Sequence, residues 1–321
     1  MIWKTIVRRL LILVPQLFVL TLVLFILAHF MPGDALTGLI DPNLMYEDIQ
    51  RMREELGLNQ PWHVQYVTWM GNIFQGDFGR SWRFRMPVTQ VIGERLPNTL
   101  RLSGLTVLFI YMLAIPAGVI AAKNKDKLID RGIIVYTFFA LSLPTVVFSL
   151  INVFVFGFNL GWFPVMGSVA VGASPGTFEA FMSRLHHLIL PATTLALLNT
   201  IWIINVLRSE ILDTENADFV VTARSKGVPS RVVYYRHMLK NACIPIITSF
   251  AGMIPFLIGG AIFIEMIFMY PGMGNLFITS INERDFAVVN ALAIMFGTAS
   301  VVGILLSDVV MMIVDPRVRI K

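Results

Sequence analysis

Six long apolar stretches separated by polar and basic segments set the pattern of this chain. They run approximately over Leu10–Met31, Leu100–Ala122, Ile133–Phe158, Leu188–Leu207, Ile244–Met269 and Ala287–Val314. A helix needs about 20 apolar residues to cross the roughly 30 Å hydrocarbon core of a bilayer. Each stretch has that length, so the pattern predicts an all-α integral membrane protein with six transmembrane helices. The first five carry Pro15, Pro116, Pro144, Pro191 and Pro255. In a bilayer, neighbouring helices satisfy the carbonyls a proline frees, so these residues are compatible with spans. The first stretch follows Lys4, Arg8 and Arg9, as a secretory leader would. It is too long for a leader, and His29-Phe30-Met31-Pro32-Gly33-Asp34 offers no small-x-small cleavage site. It is read as a retained helix.

Two polar segments are too long for simple connections. The first, 32–98, is expected outside the membrane. It contains a helical pattern from Tyr46 to Leu56 that Gly57 can stop, followed by Trp62, Tyr66, Trp69 and Trp82. Aromatics of this kind suit a cap resting on the membrane interface, or a docking surface for a delivery protein. The second segment, 208–240, contains a short amphipathic helix over Asp218–Gly227. Asn216 or Asp218 can cap its start, Arg224 and Lys226 suit its last turn, and Gly227 can end it with a left-handed residue. Pro229 stops continuation, and Ser230 can cap a second helix reaching Lys240. Phe219, Val220 and Ala223 form an apolar patch at helical spacing, with Thr222 beside them. So short a helix needs a host, which could be lipid, the rest of the chain or a partner.

Composition agrees with the pattern. Of 321 residues 56% are hydrophobic and only 14% charged, and a soluble fold could not hide that much apolar surface. The single Cys243 excludes an intrachain disulfide. The net charge of +5 is explained by where the cations sit. With the N-terminus inside, the inner segments gather Lys123, Lys125, Lys127, Arg131, Arg208, Arg224, Lys226, Arg231, Arg236, Lys240, Arg317 and Arg319. The two short outer loops carry only Arg184 and Arg284. Both termini are then cytoplasmic, and nucleic acid is not needed as a partner.

The chemistry the chain lacks narrows its role. No phosphate-binding G-x-x-x-x-G-K-[ST] motif occurs, so any ATP must be hydrolysed by another polypeptide. The five histidines, including adjacent His186 and His187, have no metal-ligand spacing, and no catalytic constellation stands out. Glu265 and Asp308 are carboxylates within apolar spans and thus candidates for function, though span ends also permit snorkelling. Asn152, Asn199, Asn205 and Asn290 suit hydrogen bonding between helices. The spans carry no chain of ionisable groups and no visible inverted repeat, which weighs against an ion-coupled carrier.

Several short motifs, in order, carry a resemblance. They are Arg8-Arg9-Leu10-Leu11 with Pro15 and Met31-Pro32-Gly33-Asp34; Leu56-Gly57-Leu58-Asn59-Gln60-Pro61-Trp62; Gly76-Asp77-Phe78-Gly79-Arg80-Ser81; and Arg95-Leu96-Pro97-Asn98-Thr99. Further along come Ser142-Leu143-Pro144, Leu190-Pro191-Ala192, Glu265 to Phe268 with Pro271-Gly272-Met273-Gly274, Arg284-Asp285 and Asp315-Pro316-Arg317. Over nearly its whole length the chain resembles the first (B-type) permease of peptide-type ABC importers. Thr222-Ala223-Arg224-Ser225-Lys226-Gly227 looks like the peptide-subgroup form of the loop that grips the ATPases. Val221 and Thr222 stand where the general form has glutamate and alanine.

The resemblance implies a type I importer fold: helix 1 (1–31), an extracytoplasmic segment (32–98), a permease core (99–315) with coupling loop 208–240, and a short tail (316–321). It also implies a second homologous permease, two ATPase subunits that bind ATP and Mg, an extracytoplasmic peptide-binding protein and a peptide substrate. No cofactor is expected in this chain. Nickel and other small solutes use similar permeases, so they remain alternatives.

Overall fold

The computed structural model describes residues 2–30, 46–55, 57, 59–259 and 262–314. The motif Met31-Pro32-Gly33-Asp34, residues Leu56 and Leu58, the ending Asp315-Pro316-Arg317 and the tail lie outside them. In chain order the helices are α1 Ile2–Phe30, α2 Tyr46–Glu55, α3 Trp62–Phe74, α4 Val88–Lys123, α5 Leu128–Ser142, α6 Thr145–Asn152, α7 Phe178–Thr214 and α8 Asp218–Ser225. They continue as α9 Ser230–Val232, α10 Leu239–Ala242, α11 Ile244–Ala251, α12 Ile254–Gly259, α13 Ile262–Ile267, α14 Met273–Asn282 and α15 Phe286–Val314. Wider π-helical segments, Val153–Asn159 and Val233–Met238, continue α6 and α9. The described residues contain no strand, only an isolated bridge between Arg80 and Pro87.

Three helices, α4, α7 and α15, are long and apolar enough to cross a membrane, and counting two bent pairs as spans raises this to five. The apolar run of α1, Leu11–Leu27, is shorter. Both α4 and α7 outrun the apolar stretches that announce them, because helical backbone continues through polar residues that no hydropathy window includes.

The third and fifth stretches are not single helices. The third bends by 106° between α5 and Thr145–Asn159. Leu143 stands at φ −89° and ψ 121°, extended, because the ring of Pro144 disfavours helical geometry in the preceding residue. The fifth bends by 44° between Ile244–Phe250 and Pro255–Ile267.

The broadest helix pair is α4 against α7. Lipid tails are as apolar as leucine, so removal from water cannot hold two spans together, and close approach must. On α4 the contact stripe is Ile110, Ala114, Gly118 and Ala122; on α7 it is Ala196, Ile203, Ile204, Leu207 and Ile211. A Cβ added to Gly118 would stand 3.1 Å from Leu207 Cβ and 3.2 Å from the Ile204 carbonyl, so glycine sets the spacing. Gly297 of α15 makes a similar close approach to Leu20 of α1.

Some of the interhelical hydrogen bonds come from hydroxyls. Tyr136 Oη of α5 donates to the Leu197 carbonyl of α7 at 2.7 Å, and Ser307 Oγ of α15 to the Thr248 carbonyl of α11 at 3.0 Å. Two of the asparagines expected in this role act locally instead. Asn152 and Asn199 donate to carbonyls four residues earlier on their own helices.

The polar segment before α4 packs onto the bundle at the end opposite α8. Tyr66 of α3 is buried between Phe18 and Phe25 of α1, and its hydroxyl shares a 2.8 Å hydrogen bond with Thr21. Trp69 stacks at a tilt on Phe25, whereas Trp62 is exposed. Gly57 has φ +65°, and its amide donates to the Glu54 carbonyl, as expected of a residue that stops α2. Buried Ser81 donates to buried Asp285, immediately before α15.

Candidate functional site

Helix α7 ends at Thr214, and α8 starts afresh at Asp218. Ala217, at φ −69° and ψ 143°, is the N-cap, and no side chain caps the helix. Neither Asn216 nor Asp218 therefore performs the expected capping; Asp218 is the first helical residue, where its charge complements the helix dipole. The end follows expectation. Gly227 has φ +73°, its amide donates to the Arg224 carbonyl at 2.9 Å, and the Val228 amide reaches the Ala223 carbonyl at 3.2 Å. These two bonds make a Schellman closure, which glycine permits because it has no Cβ.

The expected apolar patch divides into two faces. Val220 (0% exposed) and Ala223 turn into the chain's own core beside Leu207, Ile211, Val233 and Met238. Phe219 (40% exposed) and Val221 (52%) face outward, along with Asp218, Thr222, Arg224 and Lys226. Successive residues on a helix point about 100° apart, and here that step carries Phe219 and Val221 away from the core that Val220 enters. Arg224 pairs with Glu215 at 3.3 Å, both about half exposed, which contributes little.

The segment beneath α8 is built differently from the expected helix through Lys240. Pro229 is at the N-cap, Ser230 is the first helical residue without a capping bond, and the chain widens into the π segment after Val232. Lys123 at the end of α4 holds this segment. Its Nζ donates to Tyr235 Oη at 2.8 Å and lies 4.6 and 4.5 Å from the ring centres of Tyr234 and Tyr235. The ammonium keeps the Tyr235 phenol below its ordinary value, while burial pushes Tyr234 up to about 12.

Sequence reading missed the strongest charged contact of this end. Arg208 of α7 grips Asp130 of α5 through two bonds of 2.7 Å, and Asp130 is 1% exposed. Asp130 is one of two acids, with Asp126, among the basic residues before the third apolar stretch, and nothing in their spacing singles out Arg208 as its partner.

The two carboxylates expected within apolar spans lie on different elements, Glu265 on α13 and Asp308 on α15. Glu265 is wholly buried in α13. Its Oε1 accepts from Thr99 Oγ1 of α4 at 2.9 Å and its Oε2 from the Asn275 amide of α14 at 2.9 Å. Thr99 Oγ1 in turn accepts the Met273 amide at 2.7 Å, so two side chains remote in sequence satisfy the open first turn of α14. A Cβ on Gly272 would come within 2.3 Å of the Glu265 carboxylate, and one on Gly274 within 2.9 Å of Ile262 Cα. The glycines of Pro271-Gly272-Met273-Gly274 thus make room for Glu265. Asp308 is half-buried on α15, next to the Ser307 that bonds α11. Among the described residues no three His, Cys, Asp or Glu gather to hold a metal. His186 and His187 bond separately to the Trp162 and Ser183 carbonyls.

Residues 114–320 match the family described as the binding-protein-dependent transport system inner membrane component, and residues 2–103 match the N-terminal region of such membrane components. The chain is 41% identical over 315 residues to the oligopeptide transport system permease protein AppB of Bacillus subtilis, covering 98% of each. It is 35% identical over 319 residues to a Brucella melitensis protein whose name ascribes it to a peptide transport system, covering 99% of each. These full-length matches show that the chain belongs to the family of binding-protein-dependent transport system inner membrane components.

Proposed function

We propose that this chain is one of two homologous permease subunits of an ABC importer for oligopeptides or dipeptides. It has no ATPase site of its own; two partner subunits bind ATP and Mg, and an extracytoplasmic binding protein delivers the peptide. The chain spans the cell membrane six times, α1 supplying the first span and the two bent pairs the third and fifth. Both termini and α8 face the cytoplasm, and residues 32–98 face outward. The basic residues clustered around α8 support this orientation.

The observation that carries the reading is the divided face of α8. Val220 and Ala223 anchor the helix to the permease, leaving Phe219, Val221, Thr222, Arg224 and Lys226 as a rigid knob for an ATPase groove. When the ATPases close on ATP, a helix anchored in this way passes the movement to α7 and α11, and alternating access follows as a rigid-body change. Glu265 acts in this reading as the clasp that keeps α4, α13 and α14 moving as one body.

ATP hydrolysis tests the proposal. The chain would be co-expressed with two ATPases and a second permease and placed in vesicles, with and without peptide-loaded binding protein. Peptide-dependent stimulation that disappears when α8 is disrupted is expected. Stable association without peptide stimulation would turn the reading toward another solute, and failure of any ATPase to associate would overturn it.

A further inference from the structure

Beside α8, between the last turns of α4 and α7, lies a cleft of about 300 Å³. Its rim carries Lys123, Lys125 and Arg224, all exposed, against one carboxylate, Glu215. Its floor is buried and apolar, made of Ala122, Ile211, Val233 and Met238. The hydroxyl-bearing Ser230 and Tyr234 also line the cleft.

We propose that this cleft binds the phosphodiester headgroup of an anionic phospholipid. Three cations facing one acid favour an anion. The ion pair on this rim, Arg224 with Glu215, is a half-exposed 3.3 Å contact that a phosphate can replace at little cost. Lys123 is already positioned, because Tyr235 and the two rings fix its ammonium. The apolar floor selects the lipid over free phosphate, since inorganic phosphate gains nothing from Ile211 or Val233, whereas glycerol and the first acyl carbons do. Basic recesses at the cytoplasmic ends of spans are suited to such headgroups. Placement at the cytoplasmic leaflet, and any effect on coupling, rest on the orientation proposed above. The binding itself does not.

Occupancy would join three elements that no side-chain bond described above connects directly: the α4–α5 turn through Lys125, the end of α4 through Lys123, and α8 through Arg224. The lipid would then stiffen the base of α8 while leaving its outward face free.

The test is lipid retention by the full chain in bilayer discs of phosphatidylcholine mixed with phosphatidylglycerol, read by native mass spectrometry. Wild-type chain is expected to retain phosphatidylglycerol over phosphatidylcholine. Lys123→Gln and Lys125→Gln should each weaken retention about five-fold, and Lys→Arg at either position should preserve it. Lys127→Gln, outside the cleft, should change nothing. Equal retention of the two lipids by the wild type overturns the proposal, as does full retention by the double glutamine variant. Binding of inorganic phosphate without any preference for phosphatidylglycerol would assign the cleft to a soluble anion and overturn it too. The wild-type comparison needs no substitution, so a variant that fails to fold leaves it intact. Retention needs neither ATPase nor peptide, so failure here leaves the importer reading standing.

Discussion

Thr99 and Glu265 stand 166 residues apart in sequence and meet in a buried 2.9 Å hydrogen bond. Thr99 both donates to the carboxylate and accepts the first amide of α14, so α4, α13 and α14 share one junction. Thr99→Val keeps the shape and removes both bonds, leaving a buried carboxylate oxygen and a buried amide short of partners. The expected loss is about 1–3 kcal/mol for each unsatisfied group. Thermal unfolding of the detergent-solubilised chain would register it, and Thr99→Ser should retain most of the stability.

Gly272 and Glu265 are expected to be coupled. Gly272→Ala drives a methyl into the carboxylate and should destabilise strongly in the native background, but far less when Glu265 is replaced by alanine. A double-mutant cycle should return a coupling of about 0.5–3 kcal/mol. A coupling of zero would mean that the methyl does not meet the carboxylate, since the φ of −106° at Gly272 is open to any residue.

Gly227 separates backbone from packing. A Cβ there meets nothing within 4 Å, so a substitution pays only for its φ of +73°, roughly 1–2 kcal/mol for an ordinary residue. Gly227→Val should lower peptide-stimulated ATP turnover with assembly largely intact, and Gly227→Asn should be milder because asparagine tolerates this conformation. Normal turnover in the valine variant would remove the closure of α8 from the coupling path.

The two faces of α8 predict two phenotypes. Val220→Asp places a charge in the core and should deplete the folded permease. Phe219→Glu and Val221→Glu should leave permease levels near normal and reduce co-purification of the ATPases. If both classes lose the permease equally, the outward face is not a docking surface.

Asp130 and Arg208 form a bidentate pair with the acid buried. Arg208→Gln leaves that carboxylate without its partner and should cost about 3–5 kcal/mol. Adding Asp130→Asn should recover part of the loss, measured as the folded fraction in membranes.

Much of this fold was legible because a bilayer leaves few choices for backbone. The positions of the apolar stretches, the stop at Gly57 and the left-handed end at Gly227 follow from hydropathy and from glycine's missing Cβ. The bend at Leu143-Pro144 is a local rule that a hydropathy average overrides, and it was passed over as one span. The division of α8 was hidden because Phe219 and Val220 are both apolar, and composition carries no direction. The partners of Glu265 and Asp130 were out of reach because contacts so distant along the chain leave no periodic trace. The motifs around Asn98-Thr99 and Gly272-Met273-Gly274 were visible separately, and only the fold explains them together.

The bond from Ser81 to Asp285 closes across 204 residues, and α1 finds Gly297 only when α15 is made. At about 5–20 residues per second, Asp285 leaves the ribosome roughly 10–40 s after Ser81. Throughout that interval α1 and the segment around Ser81 lack the contacts with α15 and Asp285 that complete them. The N-terminal third of the chain is therefore completed by its last helix. A chain that stalls before α15 presents an unfinished surface by which a membrane quality-control protease can recognise it.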